Sequence, residues 1–272
     1  MIDKKKLGRR FSRNAKTYDE YAIVQKEMSR KLLSKISVEA PKRILEIGCG
    51  TGFLTQLIAE KYKNAEILAL DLAPGMIEVA KDRLSQINDP DRIIFECADA
   101  ETAFPKQSFD LIISNATFQW FNHPDQMAER ILEHLIKNGQ CLFSTFGSQT
   151  FNELGQAFRM ATAELELEEP IQASQNFLTA YEWVMRLEKA KATTDIRAAV
   201  TSYESMLPEY FPDCMAFFQS VKKIGANKAS SSRSNTSPKF MQMVTDIYER
   251  EFMTEKGICA TYHALYLSIE KL

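Results

Sequence analysis

A glycine-rich loop between an apolar run and an amphipathic segment is the feature that most constrains the fold of this chain. Arg43 to Ile47 forms a short β-type run. The glycine motif Glu46-Ile-Gly-Cys-Gly-Thr-Gly52 begins within the last two residues of this run and continues past it. Phe53 to Tyr62 then carries apolar residues at the spacing of one helix face. Glycine lets the backbone turn sharply and approach a ligand closely, because it has no Cβ. Strand, loop and helix together predict an α/β unit whose loop binds a ligand.

The alternation of short apolar runs with helical patterns continues to Phe146. Further strands are predicted at Glu66 to Asp71, Arg92 to Cys97, Phe109 to Ser114 and Gln140 to Phe146. Helices are predicted from Pro74 and from Pro124, the second with Leu135 and Ile136 on its apolar face and Gly139 just past its end. Strands that alternate with helices indicate a doubly wound, mostly parallel sheet.

The second half of the chain has a weaker pattern. Helices are predicted at Phe151 to Leu167, Thr179 to Leu187 and Met215 to Lys223, and strands at Ile196 to Leu207 and Gly257 to Ile269. We therefore expect a seven-stranded sheet with a helical lid inserted in its C-terminal half. The expected organisation is a single domain, 1–272, made of a helical entry segment (1–40), a ligand-binding core (43–146), lid helices with the sixth strand (147–256) and the last strand (257–272).

Composition excludes several classes of protein. The 272 residues include 34 basic and 36 acidic ones, so the net charge of −2 argues against a dedicated nucleic-acid binder. Five cysteines without a C-x-x-C pair favour a reducing compartment. No stretch reaches the roughly 20 apolar residues that span a bilayer, and the N-terminus lacks the apolar core of a signal peptide. We expect a cytoplasmic protein, a monomer, that does not bind membranes.

Polar residues follow three successive predicted strands. Asp71 closes the second, Asp99-Ala100 follows the third and Asn115 follows the fourth. The carboxyl ends of parallel strands share one edge of the sheet, where ligands bind. Asp71 is placed to accept hydrogen bonds from ribose hydroxyls, although alone it is equally suited to cap the helix at Pro74.

The glycine spacing argues against a dinucleotide cofactor. The loop reads G-x-G-x-G, and Phe53 occupies the place of the last glycine in the dinucleotide motif G-x-G-x-x-G. That glycine permits tight packing of helix and strand over a pyrophosphate, so its replacement indicates a ligand without one. The glycines could also form a simple turn, but a strand before them and a helix after them favour ligand binding.

These motifs resemble the core of the class I S-adenosylmethionine-dependent methyltransferases. The matching stretches are Ile44 to Gly52, Ala69 to Asp71, Asp99-Ala100 and Phe109 to Asn115. The resemblance implies S-adenosylmethionine as cofactor, without a metal. It implies that the methionine part is held by Glu46, Gly48, Cys49, Gly50 and Gly52, the ribose by Asp71, and the adenine by Asp99, Ala100 and Met76, with Leu72 and Asn115 as further contacts.

A narrower resemblance, to the malonyl-[acyl-carrier protein] O-methyltransferases, covers most of the chain. The matching segments are Phe11 to Ala22 with Gln25, Ser114 to Trp120, Phe151 to Leu154, Lys222 to Asn227 and Thr261 to Tyr266. It implies esterification of the free carboxylate of a malonyl group on an acyl carrier protein, an early step toward biotin. Trans-aconitate methyltransferases share the Asn-Ala-x-Phe-Gln-Trp element, so methylation of a free small acid remains an alternative. An N- or C-methyltransferase and a non-catalytic cofactor-binding protein also remain open.

Esterification of a carboxylate places modest demands on side chains. A carboxylate with a pKa near 4 is already ionised at neutral pH, so no general base is needed. The site must instead orient the reactants and exclude water. Tyr18, Asn115 and Trp120 are the candidates at the reacting centre. Phe177 is a candidate further wall or a core residue, and His123 a candidate substrate contact or a plain loop residue.

Two sets of cations are candidates for binding the substrate or its carrier. A stretch without acidic residues contains Lys222, Lys223, Lys228 and Arg233, and the N-terminal segment is also basic. Acyl carrier proteins are acidic, so this stretch is a candidate docking face, although a charge run is commonly just solvated surface. An arginine is the natural clamp for a carboxylate, and the spacing does not choose among Arg159, Arg186 and Arg197.

Overall fold

The computed structural model of the chain describes residues 1–168, 171–173, 176–225 and 237–272. Lys228 and Arg233 lie outside the described residues. The described strands are β1 (Arg43–Ile47), β2 (Glu66–Asp71), β3 (Ile93–Cys97), β4 (Phe109–Asn115), β5 (Leu135–Phe146), β6 (Ala198–Phe211), β7 (Met253–Thr254) and β8 (Gly257–Lys271). They form one sheet in the order β3-β2-β1-β4-β5-β8-β6, with the short β7 paired to β8.

The first five strands are parallel, and β8 runs antiparallel to both β5 and β6. Ile44 of β1 pairs with Ile67 of β2 on one side and with Leu111 of β4 on the other. The strand order therefore reverses at β1, which opens a crevice at the carboxyl ends of β1 and β4. This confirms the predicted doubly wound, mostly parallel sheet.

Helices cover both faces of the sheet. They are α1 (Lys4–Tyr21), α2 (Ile23–Leu33), α3 (Phe53–Lys61), α4 (Pro74–Leu84), α5 (Pro124–His134), α6 (Asn152–Glu164), α7 (Ala180–Thr194), α8 (Cys214–Lys223) and α9 (Pro238–Phe252). Ile44 and Leu45 are adjacent in β1 but belong to different apolar clusters. The cluster around Ile44 includes residues of α2, α3, α6, α8 and α9, and the cluster around Leu45 includes residues of α5 and α7. No helix in the described ranges is both long enough and apolar enough to cross a bilayer.

The predicted helix from Pro124 was too long. Helix α5 ends at His134, and Leu135 and Ile136 instead begin β5, where Leu135 pairs with Phe109. Gly139 lies inside this strand rather than beyond a helix. A Cβ at Gly139 would lie 3.1 Å from the Asp110 carbonyl oxygen. The glycine therefore permits a close approach to β4, at the place where the register of the two strands shifts.

In the second half of the chain, one helix was not predicted and another is longer than predicted. Helix α9 was not predicted, although Phe240, Val244, Ile247 and Tyr248 have helical spacing and are all buried. Helix α7 runs on to Thr194 and packs against α5 and the sheet. Helices α6 and α8 follow the carboxyl ends of β5 and β6, and α9 leads into β8, which runs the opposite way. These three helices therefore lie at the same edge as the crevice.

Trp183 anchors α7 to the sheet, and its removal tests this layer. Its ring is 3% exposed and packs edge-on against Phe118 and Phe143, with centroids 5.9 and 5.5 Å away. Trp183→Ala should lower the free energy of unfolding by about 3–5 kcal/mol in a denaturant titration, because it leaves a large cavity. Tyr181 of the same helix is 72% exposed, and Tyr181→Ala should change that free energy by no more than about 0.5 kcal/mol. Equal losses in the two variants would contradict this packing.

Candidate functional site

A pocket of about 700 Å³, including the part open to solvent, occupies the crevice at the carboxyl ends of the strands. We call it the main pocket. Its floor comes from the residues that end or follow β1, β2, β3 and β4, and α1 forms a wall. The sequence candidates that line it are Tyr18, Gly48, Gly50, Asp71, Leu72, Met76, Asp99, Ala100, Asn115 and Trp120.

The glycine loop is folded tightly against its neighbours. Gly48, Gly50 and Gly52 all have positive φ, a region that other residues rarely adopt. A Cβ at Gly48 would lie 2.1 Å from the Thr117 hydroxyl oxygen, whereas a Cβ at Gly50 would meet only open space. Gly52 instead packs against Ala80 of α4, so it sets the position of the helix rather than facing the main pocket.

The Asp71 carboxylate joins the loop to the end of β2. One of its oxygens accepts a hydrogen bond from the Gly50 N–H at 2.9 Å, and the other accepts from the Ala73 N–H at 2.8 Å. Burial raises the pKa of Asp71 to about 6, against the opposing effect of these hydrogen bonds. The group is therefore mainly ionised at neutral pH. Each oxygen retains acceptor capacity for a ligand hydroxyl.

Glu46 and Cys49 lie behind the loop, in a smaller pocket that adjoins the main one. The two pockets share Tyr18, Gly48, Gly50 and Asn115. Glu46 is 1% exposed and accepts a hydrogen bond from the Thr55 hydroxyl at 2.6 Å. Burial, and to a lesser extent the charge of Asp71, raise the pKa of Glu46 to about 8.

Gln25 gives the small pocket a further polar atom. Its side-chain oxygen is buried without a hydrogen-bond partner among the described residues. Its backbone carbonyl accepts a hydrogen bond from the Asn115 amide at 3.0 Å, and the Asn115 side-chain oxygen accepts from the Ser144 hydroxyl at 2.6 Å. Asn115 is therefore held in a fixed orientation between the two pockets. An unpartnered buried oxygen favours a ligand that carries a hydrogen-bond donor.

The adenine-side candidates lie at the other end of the main pocket. Ala100 and Met76 are 5% and 2% exposed, and they provide apolar surface. The Asp99 carboxylate accepts a hydrogen bond from the Glu101 N–H at 3.0 Å. Lys4 of α1 pairs with Glu101 and lies 3.6 Å from Asp99. Sequence reasoning did not identify Lys4 as a pocket residue.

Helix α1 is fastened across the main pocket at both ends. Near its start, the Ile2 N–H donates to the Asn122 side-chain oxygen at 2.6 Å, and the Asn122 amide donates to the Ile2 carbonyl at 3.0 Å. Near its end, Asp19 pairs with Arg83 and accepts from the Thr51 hydroxyl at 2.8 Å. These contacts hold α1 against the main pocket, where the helix forms one wall.

Three aromatic rings close the pocket on the α1 side. Phe11 lies edge-on between Tyr18 and Trp120, with ring centroids 6.5 and 5.9 Å away. Burial, together with the charges of Asp19 and Asp71, raises the pKa of Tyr18, so its hydroxyl stays protonated at neutral pH. Phe11 was not a sequence candidate for this role. The spacing of Leu7, Phe11 and Tyr18 on one helix face was the available signal.

The remaining substrate candidates lie outside the main pocket. His123 is exposed and lines a separate groove beside Asp125 and Arg186, two residues that pair with each other. Phe177 lines that groove and also the cleft described next. Arg159 and Arg197 are exposed and line neither the main pocket nor that cleft.

Two further concave surfaces include residues of helix α8. The apolar cleft, about 1230 Å³ including its open part, lies among α6, α8, α9 and β8. The basic groove lies between α1 and α8, and the cations that line it are Lys6, Arg9, Arg10, Arg13, Lys222 and Lys223. The Asn14 amide of α1 donates to the Lys222 carbonyl at 3.1 Å and joins the two helices. Two basic segments that are distant in sequence thus form one surface.

Comparison with known proteins places this architecture among methyltransferases. Residues 44–139 match the family model of the methyltransferase domain. The malonyl-[acyl-carrier protein] O-methyltransferase of Anoxybacillus flavithermus is 41% identical over 269 residues, which are 99% of this chain and 98% of that protein. The enzyme of the same name from Acetivibrio thermocellus is 40% identical, and the match covers 100% of this chain and 95% of that enzyme. The crystal structure of the YcgJ protein from Bacillus subtilis shares the fold, with a TM-score of 0.61 at 15% identity over 90% of this chain and 98% of that one.

The raised pKa of Glu46 predicts a pH-dependent difference in stability. The native chain holds a proton that the unfolded chain releases between the ordinary pKa of 4.5 and the raised value of about 8. The contribution of Glu46 to the free energy of unfolding therefore falls as the pH rises through this window. Glu46→Gln keeps an acceptor for Thr55 but does not titrate. Denaturant titrations at several pH values should show the variant gaining stability relative to the native sequence as the pH rises. A difference that does not change with pH would contradict the burial of an ionisable group here.

Proposed function

Because the chain belongs to the malonyl-[acyl-carrier protein] O-methyltransferase family, we propose that it methylates the free carboxylate of a malonyl thioester on an acyl carrier protein, with S-adenosylmethionine as methyl donor. The observation that carries this proposal is identity near 40% over essentially the whole length of both chains. The methyl ester is the early biotin intermediate that the sequence resemblance implies.

The main pocket has groups suited to the nucleoside end of the cofactor. Asp71 would accept hydrogen bonds from the ribose hydroxyls, since backbone N–H groups already fix both of its oxygens. Met76 and Ala100 would pack against the adenine, and Asp99 would accept from its amino group. Leu72 lies beside Asp71 on the same floor.

The smaller pocket has groups suited to the methionine end. The Gly48 and Gly50 backbone allows close approach, because a side chain at Gly50 would project into open space. The unpartnered Gln25 oxygen and the Glu46 carboxyl would face the ammonium group. A nearby cation favours the ionised form of a carboxyl group. Cofactor binding would therefore lower the raised pKa of Glu46.

When bound, S-adenosylmethionine supplies a methyl group on a positively charged sulfur. The side chains need only hold the malonyl carboxylate in line with that methyl group and keep water away. Phe11, Tyr18 and Trp120 form the apolar wall that excludes water, and Asn115 holds a fixed position between the pockets. An anion and a cation are converted to neutral products, so a site of low dielectric does not oppose the reaction.

The basic groove is the surface proposed to dock the carrier protein. An acidic partner is attracted to clustered cations, which speeds association and fixes orientation. Lys222 and Lys223 of α8 line the groove together with cations of α1. The proposed contribution of Lys228 and Arg233 concerns residues outside the described part of the chain.

Two measurements together test the proposed function against its alternatives. The protein is incubated with methyl-labelled S-adenosylmethionine and, separately, with malonyl-carrier protein or trans-aconitate, and S-adenosylhomocysteine binding is measured by calorimetry. We expect binding and transfer of label to the malonyl-carrier protein. Transfer only to the free acid would replace the proposed substrate. Binding without transfer to either acceptor would reject the proposed transfer and leave a cofactor-binding protein.

Removal of the Tyr18 ring should slow turnover. Tyr18→Ala opens the aromatic wall to water and should lower kcat by about 10- to 100-fold, while S-adenosylhomocysteine still binds. Tyr18→Phe keeps the ring and should retain kcat to within a few fold of the native value. If the alanine variant turned over at the native rate, Tyr18 would have no part in the reaction.

Charge reversal in the basic groove should weaken recognition of the carrier. The double variant Arg13→Glu and Lys223→Glu should raise KM for malonyl-carrier protein by about ten-fold and flatten its dependence on salt. KM for malonyl-pantetheine, which lacks the protein, should change little. Lys42 and Lys63 are exposed at the opposite edge of the sheet, so reversing both is a control with the same change in net charge. Equal effects of the two double variants would reject the groove as the docking surface.

A further inference from the structure

The three concave surfaces lie end to end and share residues. Lys222 lines both the basic groove and the apolar cleft. Trp120 lines both the apolar cleft and the main pocket. The described residues therefore outline a path of adjacent surfaces from the basic groove to the place where the methyl donor would bind.

The middle of this path is apolar and built on aromatic rings. The Tyr262 ring lies 4.7 Å from Phe151 and 5.6 Å from Phe146, and Phe217 lies 5.1 Å from Phe151, between ring centroids. These rings are each less than 10% exposed, so the wall of the cleft is fixed by the core. Such a surface suits an uncharged, flexible ligand segment.

Polar groups occur near the inner end of the cleft. The Gln119 amide donates to the Ala116 carbonyl at 2.7 Å, and its side-chain oxygen accepts from the Thr145 hydroxyl at 2.9 Å. Gln119 adjoins Trp120 in the chain and also lines the cleft. It is thus held in place where the cleft meets the main pocket, and its amide retains one N–H for a ligand carbonyl.

On the basis of the proposed function, we propose that the apolar cleft holds the pantetheine arm of the substrate, and that Lys222 at its mouth contacts the phosphodiester of that arm. The arm is charged at the phosphodiester, uncharged along its amides and methylenes, and charged again at the malonyl carboxylate. The path has cations first, an apolar middle and the methyl-donor pocket last. The order of charged and uncharged parts along the arm therefore matches the order of basic and apolar surfaces along the path.

Lys222 is placed for this contact by its position at the end of α8. Its carbonyl is fixed by the Asn14 amide at 3.1 Å, and its exposed side chain lies where groove and cleft meet. The neighbouring Lys223 lines the basic groove but not the apolar cleft. Its ammonium group lies over the Tyr21 ring, 5.9 Å from the ring centroid. The two adjacent lysines therefore face different parts of the surface.

A comparison of two carrier-free substrates tests the role of Lys222. Malonyl-phosphopantetheine and malonyl-pantetheine differ only in the phosphate. Lys222→Ala should raise KM for the first by about ten-fold, because it removes a charge-assisted contact, and should leave KM for the second within two-fold. Lys239 is an exposed residue of α9 that lines none of the three concavities. Lys239→Ala is the control and should leave both KM values unchanged. An equal effect of Lys222→Ala on the two substrates would overturn the phosphodiester contact.

A second variant tests the cleft itself. Val221 is half-buried and lines the cleft, so Val221→Trp should obstruct it. KM for malonyl-pantetheine should rise at least about ten-fold, while S-adenosylhomocysteine binding stays at the native level. Met215 is on the same helix and 57% exposed, and Met215→Trp should leave KM unchanged. A native KM in Val221→Trp overturns the cleft assignment. The proposed function stands or falls separately, on whether the native protein methylates malonyl-carrier protein.

Discussion

The geometry of the candidate site depends on the hydrogen bonds of the half-buried Asp71 carboxylate. This carboxylate accepts hydrogen bonds from the Gly50 and Ala73 N–H groups, which belong to the glycine loop after β1 and to the turn before α4. One charge thus fixes two backbone segments at the point where the strand order reverses. Burial of that charge is costly, as its raised pKa shows, and the two amide dipoles offset the cost. The two hydrogen bonds therefore hold the glycine loop and the turn before α4 together at the pocket floor.

The first half of the fold was predictable because its information is local. Strands β1 to β4 are short apolar runs that turn residues interrupt, and the sheet buries both faces of the interior ones. The start of β5 was not predictable in this way. Leu135 and Ile136 continue the helical spacing of α5, and only pairing with β4 makes them a strand. Helix α9 had apolar residues at helical spacing, but its place depends on packing with α6, which is distant in sequence.

In the candidate site, too, some residues were predictable from local sequence and others only from tertiary packing. Residues at strand ends, such as Asp71, Asp99 and Asn115, converge because the topology of a parallel sheet requires it. Residues of α1, such as Lys4 and Phe11, reach the pocket only because the helix docks across it. No local pattern indicates where a preceding helix will dock. The same contact creates the basic groove, since it brings cations of α1 beside α8. The roles of the individual site residues remain predictions.

Helix α1 serves two surfaces at once. Phe11 and Tyr18 line the main pocket, whereas Arg9 and Arg13 of the same helix line the basic groove. If a small molecule binds on one side and a protein on the other, both contact the same helix. Where one ligand orders this helix, the other binds to a helix already ordered, and such a linkage is reciprocal. A substitution in α1 is therefore fully described only when dissociation constants on both of its sides are measured.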